Sequence, residues 1–198
     1  MTARKWPLVL GLTAGLAALG AGFAAGPDTL TQWQLAARWT ARAGFPLLIL
    51  TYLASSLVTL WPSDMTRALL RDRRWWGLGF AASHTVHLVA LVTYLRISGE
   101  AKPLPVLIGG GGAYVMLYLM ALTSSRTAQR AMGRSWPRLH TIGIHWLWGV
   151  FAFSYLGRAF RPETMLTGAT FGGIALAALA LRIMAARMRR QRRAGQFA

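Results

Sequence analysis

The sequence predicts an all-α polytopic membrane protein, a bundle of six transmembrane helices with its N and C termini cytoplasmic. Three observations predict it. Of the 198 residues, 55% are hydrophobic and 14% charged, and the apolar residues fall in long unbroken runs instead of alternating with polar ones as in a soluble domain. Six of these runs approach the roughly 20 residues that cross a hydrocarbon core about 30 Å thick. The basic residues are distributed unevenly between successive connections, as topology requires. Composition excludes a disordered chain. The complete lack of cysteine excludes disulfides, thiolate metal sites, iron–sulfur clusters and cysteine nucleophiles.

The first span, 6–25, follows Arg4-Lys5 and ends at Phe23-Ala24-Ala25. That ending resembles a signal-peptide cleavage site, but the run exceeds a signal's 7–15 apolar residues, so a retained helix is expected. The second span, 44–61, has Pro46 near its start, where proline is tolerated. Before it, Gly26–Ala43 reads as a connection whose Trp33, Gln34 and Trp39 suit a surface-lying amphipathic segment or a docking site. The third span, 75–95, lies between Arg73-Arg74 and Arg96. The fourth, 104–123, contains Gly109-Gly110-Gly111-Gly112; no Lys-Ser/Thr follows, so a phosphate loop is excluded. Helix packing is the expected role of these glycines, and of Gly11/Gly15 and Gly168/Gly172 at four-residue spacing. The fifth span, 139–156, begins just after Pro137, and the sixth, 165–186, leads into a basic tail, 187–198. The connections are too short to fold alone, so residues 1–198 read as a single membrane domain.

Sixteen basic residues fall on one side: Arg4 and Lys5, four between spans two and three, four between four and five, and six from Arg182 to Arg193. Only Arg38, Arg42, Arg96, Lys102, Arg158 and Arg161 fall on the other. The richer side should be cytoplasmic. The net charge of +17 thereby has a topological explanation, with an anionic inner leaflet as its partner and no nucleic acid. Trp6, Trp61, Trp75, Trp76 and Trp136 at inner ends fit an aromatic belt.

Ionisable residues inside a membrane mark function, and here they are histidines. His84 and His87 lie in the third span and His140 and His145 in the fifth, with none elsewhere. Neutral imidazole is a common axial ligand of heme iron, and a b-type heme between two helices takes one from each. All four are therefore candidate axial ligands. Hydrogen bonding across a helix interface is the bland alternative; zinc is disfavoured for want of intramembrane Asp, Glu or Cys. Counted at about 1.5 Å per residue from Trp75 and Arg138, His84 and His87 lie about 14 and 18 Å deep, and His140 and His145 about 3 and 10 Å. Depth thus favours His145 as the partner of His84 or His87. Arg134 and Arg138 are candidates for contacts to heme propionates or a quinone headgroup.

Arg73-Arg74-Trp75-Trp76-Gly77-Leu78-Gly79-Phe80 leading to His87, Ala121-Leu122-Thr123-Ser124, and Gly133-Arg134-Ser135-Trp136-Pro137-Arg138-Leu139-His140 resemble the ferric reductase-like transmembrane superfamily. Within it they resemble the MsrQ/YedZ-type heme-binding membrane subunit of the bacterial periplasmic methionine sulfoxide reductase system. The likeness runs from about Trp39 to Leu156. It implies a six-helix domain that binds b-type heme and passes electrons across the membrane, with His87 and His140 matching family ligands. A further family histidine, thirteen residues after His140, is Phe153 here, and His84 and His145 have no family counterpart. His87 is thus the leading ligand, with His145 by depth or His140 by motif as its partner, for one heme or two.

Superfamily members with their own flavin and nicotinamide domain carry it after the last helix. About twelve residues follow here, so electrons are expected from a separate flavin reductase or from quinol; an FMN or quinone site is not readable. The expected function is a heme-containing membrane component of an oxidoreductase in the bacterial inner membrane, passing electrons to a periplasmic reductase partner or ferric iron. The alternative is a non-catalytic membrane protein, a sensor or assembly factor, whose histidines pack or respond to pH.

Overall fold

A computed structural model describes residues 4–194. Every regular element among them is helical: α1 (Trp6–Ala25), α2 (Thr29–Leu60), α3 (Asp64–Arg71), α4 (Arg73–Ser98), α5 (Leu104–Leu122), α6 (Arg126–Met132), α7 (Ser135–Ala159), a single 3-10 turn (Pro162–Thr164) and α8 (Met165–Ala194). The chain is an all-α polytopic membrane protein. Helices α1, α2, α4 and α5, and α8 together with the turn before it, are long and apolar enough to cross a bilayer. Helix α7 has 25 residues but carries Arg138 and Arg158 near its ends and two histidines within. The basic tail continues α8 as helix to Ala194; its last residues, 195–198, lie outside the described residues.

The connection expected over Gly26–Ala43 is mostly helix, and it is part of α2. Asp28 caps that helix by accepting from the Thr31 backbone N–H at 2.9 Å. Small residues then bury the turns that follow: Ala36 and Ala37 pack with Ala90 of α4, beneath Phe23 and Trp33. The added turns place Pro46 inside the helix instead of near its start. At about 48 Å, α2 exceeds the hydrocarbon thickness by several turns.

Glycines set the helix spacing. A Cβ at Gly11 would stand 2.2 Å from the Gly79 carbonyl oxygen, one at Gly22 2.4 Å from the Ala36 nitrogen, and one at Gly168 2.2 Å from the Ala159 nitrogen. Close approach of α1 to α4 and α2, and of α8 to α7, therefore requires these residues. The four-glycine run in α5 behaves differently. A Cβ at Gly112 would stand 3.0 Å from the Trp146 ring, whereas Gly109, Gly110 and Gly111 have open space where a side chain would be. Only one of the four packs as expected.

At one end of the bundle, the basic end, α3 and α6 cross between the long helices. Asp72, 4% exposed, ties the α3–α4 elbow to the start of the chain: it accepts from Arg71 Nε at 3.0 Å, from Arg71 Nη2 at 2.9 Å and from the Arg4 backbone N–H at 3.0 Å. The Arg71 guanidinium, with the Arg4 backbone contact, holds the carboxyl below its ordinary value. A depressed carboxyl stabilises the fold above the unfolded-state value and ceases to as pH falls through the folded one. Thermal midpoints measured from pH 7 downward should accordingly fall more steeply in the wild type than in Asp72→Asn, which starts lower and lacks this component.

Candidate functional site

Helices α4 and α7 never approach closely: no Cα of one comes within 8 Å of a Cα of the other. At the basic end the interval between them is a cavity of about 440 Å³, in the usual range for small-molecule sites. Arg73, Arg74, Gly77 and Phe80 line it from α4, His140, Thr141, Ile144 and Leu147 from α7, Leu117 and Met120 from α5, Thr51 and Ser55 from α2, and Arg182 from α8. Farther along, rings fill the interval. His84 packs against Phe80, Phe151 and Tyr114 at centroid distances of 4.5, 5.2 and 6.1 Å.

The four histidines occupy three places. His140 is on the cavity wall, stacked on Trp136 at 4.1 Å and paired through Nε2 with Thr123 Oγ1 at 3.2 Å. Trp136 is itself anchored by its indole N–H to the Thr123 carbonyl at 2.8 Å, so the α5 terminus orients both rings. His84 and His87 lie together, 5.0 Å between centroids, beyond Phe80 from the cavity. His145 faces elsewhere: its Nδ1 meets the Thr141 carbonyl at 2.7 Å and its ring abuts Tyr52 at 5.5 Å. The structure thus unites the two α4 histidines, and separates His140 and His145. Among the described residues no three His, Asp or Glu side chains form a metal cluster.

His87 carries a feature of its own. Thr40 is fully buried, and its hydroxyl lies 2.6 Å from the Ala36 carbonyl and 3.1 Å from His87 Nδ1. A hydroxyl has one hydrogen. With that hydrogen in the shorter bond to Ala36, Oγ1 accepts from an Nδ1–H of His87. Ligating imidazoles are ordinarily held this way, with the far ring nitrogen donating to a neighbour. His84, 6% exposed, is less satisfied: its Nδ1, like the Tyr114 hydroxyl, has no hydrogen-bond partner. A Cβ at Gly44 would stand 2.5 Å from that nitrogen.

The cationic rim differs from the sequence expectation. Arg134 and Arg138 line a separate, open groove with Pro137, Thr141 and Ile142, while Arg71, Arg73, Arg74 and Arg182 reach the cavity. A cofactor with carboxylates would meet those four. Sequence reading missed Arg182 because it counts equally as an inner-end charge; only its inward turn distinguishes it. Phe153, at the position of the absent family histidine, is 79% exposed, on the far side of α7 from the cavity.

The cavity fits a flat, anionic cofactor with one imidazole donor, His140. Around His84 and His87 there are donors and unsatisfied polar atoms but rings in place of open space. The three stretches that carry the family resemblance, far apart in sequence, meet on this one cavity through Arg73, Arg74, Gly77, Leu78 and Phe80, through Ala121 and Ser124, and through Trp136, Pro137 and His140.

Comparison with known proteins agrees with that resemblance. The chain is similar to the protein-methionine-sulfoxide reductase heme-binding subunit MsrQ of Cronobacter sakazakii, 33% identical over 127 residues, 57% of this chain and 62% of the relative. The protein of the same name from Yersinia pseudotuberculosis serotype O:1b is 34% identical over 131 residues, 59% and 63% respectively, and that of Yersinia pestis strain Pestoides F is 34% identical over 131 residues, 59% and 62%. The chain thus spans less than two thirds of the length of these relatives. It matches no protein-family model, and no solved structure matches it. The MsrQ-type resemblance read from the motifs is borne out by these relatives.

Proposed function

Starting from that similarity, we propose that the chain is a b-type heme membrane protein that carries electrons across the bacterial inner membrane. The observation that carries this reading is the meeting of all three family stretches on one cavity between α4 and α7, with an imidazole in its wall and arginines at its rim. The basic end is cytoplasmic and α7 is the sixth crossing. Heme supplies the one-electron chemistry when bound; the protein supplies ligands, orientation and a dry surrounding. His140 is the ligand for an inner heme in the cavity. His87 is the ligand for an outer one, which requires the Phe80, Phe151 and Tyr114 rings packed about His84 to give way; about 15 Å of depth between His87 and His140 is too much for a shared iron. His84 and His145 are the less favoured ligands.

The arrangement suits transfer along the bundle axis, from a flavin reductase or quinol at the basic end to an acceptor at the other, either a periplasmic methionine sulfoxide reductase or ferric iron. Membranes from an expressing strain should give a reduced-minus-oxidised heme spectrum, and a heme-replete preparation without one overturns the reading. Thr40→Val should weaken the outer heme about 10–100-fold, the usual cost of removing a group that orients a ligating histidine. Thr40→Ser should keep it. Titration of heme into the purified variants separates the two.

A further inference from the structure

We propose that Arg182 is the anchor for the carboxylates of the inner heme; this rests on the inner-heme reading above. Arg182 is in α8, five residues before Arg187 begins the cluster that serves the membrane surface. Its side chain turns into the bundle instead of out to headgroups. Nη1 donates to the Tyr52 carbonyl of α2 at 2.5 Å, the guanidinium carbon lies 4.4 Å from the centre of the Tyr52 ring, and the residue lines the cavity. The ring and carbonyl fix the guanidinium but leave its charge unbalanced.

Among the described residues no acid balances it. The ion pairs among the described residues are Arg67–Asp64, Arg71–Asp72 and Lys102–Glu100, and Asp72, the one buried carboxylate, is already engaged by Arg71. A half-buried guanidinium without a counter-ion is costly. Its planar fork of N–H donors matches a carboxylate in a way no ammonium does. Heme b carries two propionate carboxylates on one edge. With His140 on the wall to hold iron, Arg182 and Arg73, which line the same cavity, would receive that edge. Arg182 fixes the orientation of the ring and raises its affinity without touching iron.

Hemin and hemin dimethyl ester, which lacks the carboxylates, separate this role from packing. Full-length heme-depleted protein in detergent is titrated with each probe, in wild type, Arg182→Gln and Arg182→Lys. The wild type should bind hemin about tenfold or more tighter than the ester at the inner level, as a charge-assisted hydrogen bond requires. Arg182→Gln should lose that margin for hemin alone, with a lower midpoint potential because a positive charge is gone, and Arg182→Lys should recover part of it. Equal wild-type affinity for the two probes overturns the proposal, as does an Arg182→Gln variant weakened equally toward both. Should Arg182→Gln fail to fold, the wild-type comparison decides alone. Wild-type protein that binds neither probe removes the inner-heme reading and this inference with it.

Discussion

His140→Ala should lose the inner heme and leave the outer one. The ring is the one imidazole on the cavity wall, and its Trp136 and Thr123 contacts pre-set it there. Removal of a ligand should cost more than the about 10–100-fold that follows loss of a supporting contact. His145→Ala, which takes away a ring facing Tyr52, should leave heme content unchanged. Paired absorption spectra of the two variants make the comparison. Equal losses in both would mean that the α7 histidines act through packing.

Gly11→Val carries the largest expected effect on stability. A Cβ at Gly11 would meet the Gly79 carbonyl oxygen at 2.2 Å and its carbonyl carbon at 2.4 Å. Those are backbone atoms and cannot rotate away. Overpacking ordinarily costs about 1–3 kcal/mol, and a rigid backbone neighbour places this site at the upper end or beyond. Helix α1 would have to move off α4. Thermal unfolding of the detergent-purified variant should show a much lower midpoint, whereas Gly20→Val, where nothing lies within 4 Å of a Cβ, should behave as wild type. A wild-type midpoint for Gly11→Val would mean that α1 does not pack on α4 as described.

Much of the bundle was legible because apolar runs of crossing length announce themselves. The ranges expected for the first and fourth spans fall within a residue of α1 and α5. What failed to announce itself was helix whose burial depends on small residues. Ala36, Ala37 and Thr40 are buried against α1 and α4, yet among the tryptophans and arginines of 26–43 they read as an ordinary connection. Pro46, which reads as a start, is accommodated within a long helix.

Site residues divide along the same line. The histidines stood out by type and by confinement to two spans, and His87 and His140 by motif. Their separation was not visible, because helical phase decides it: His140 and Phe151 share a face of α7, while His145 and Phe153 turn away from it. The cavity arginines were equally hidden. Arg134 and Arg138 are candidates in sequence because they bracket the start of the fifth span, but Arg182 reaches the cavity from α8, a relation that only tertiary packing creates.

The most direct test of the central claim, that His140 of α7 and His87 of α4 each hold the iron of a separate heme, is the heme-to-protein ratio of purified full-length protein and of its His87→Ala and His140→Ala variants. The account predicts two hemes per chain, falling to one in each variant. A ratio that neither substitution changes would contradict it.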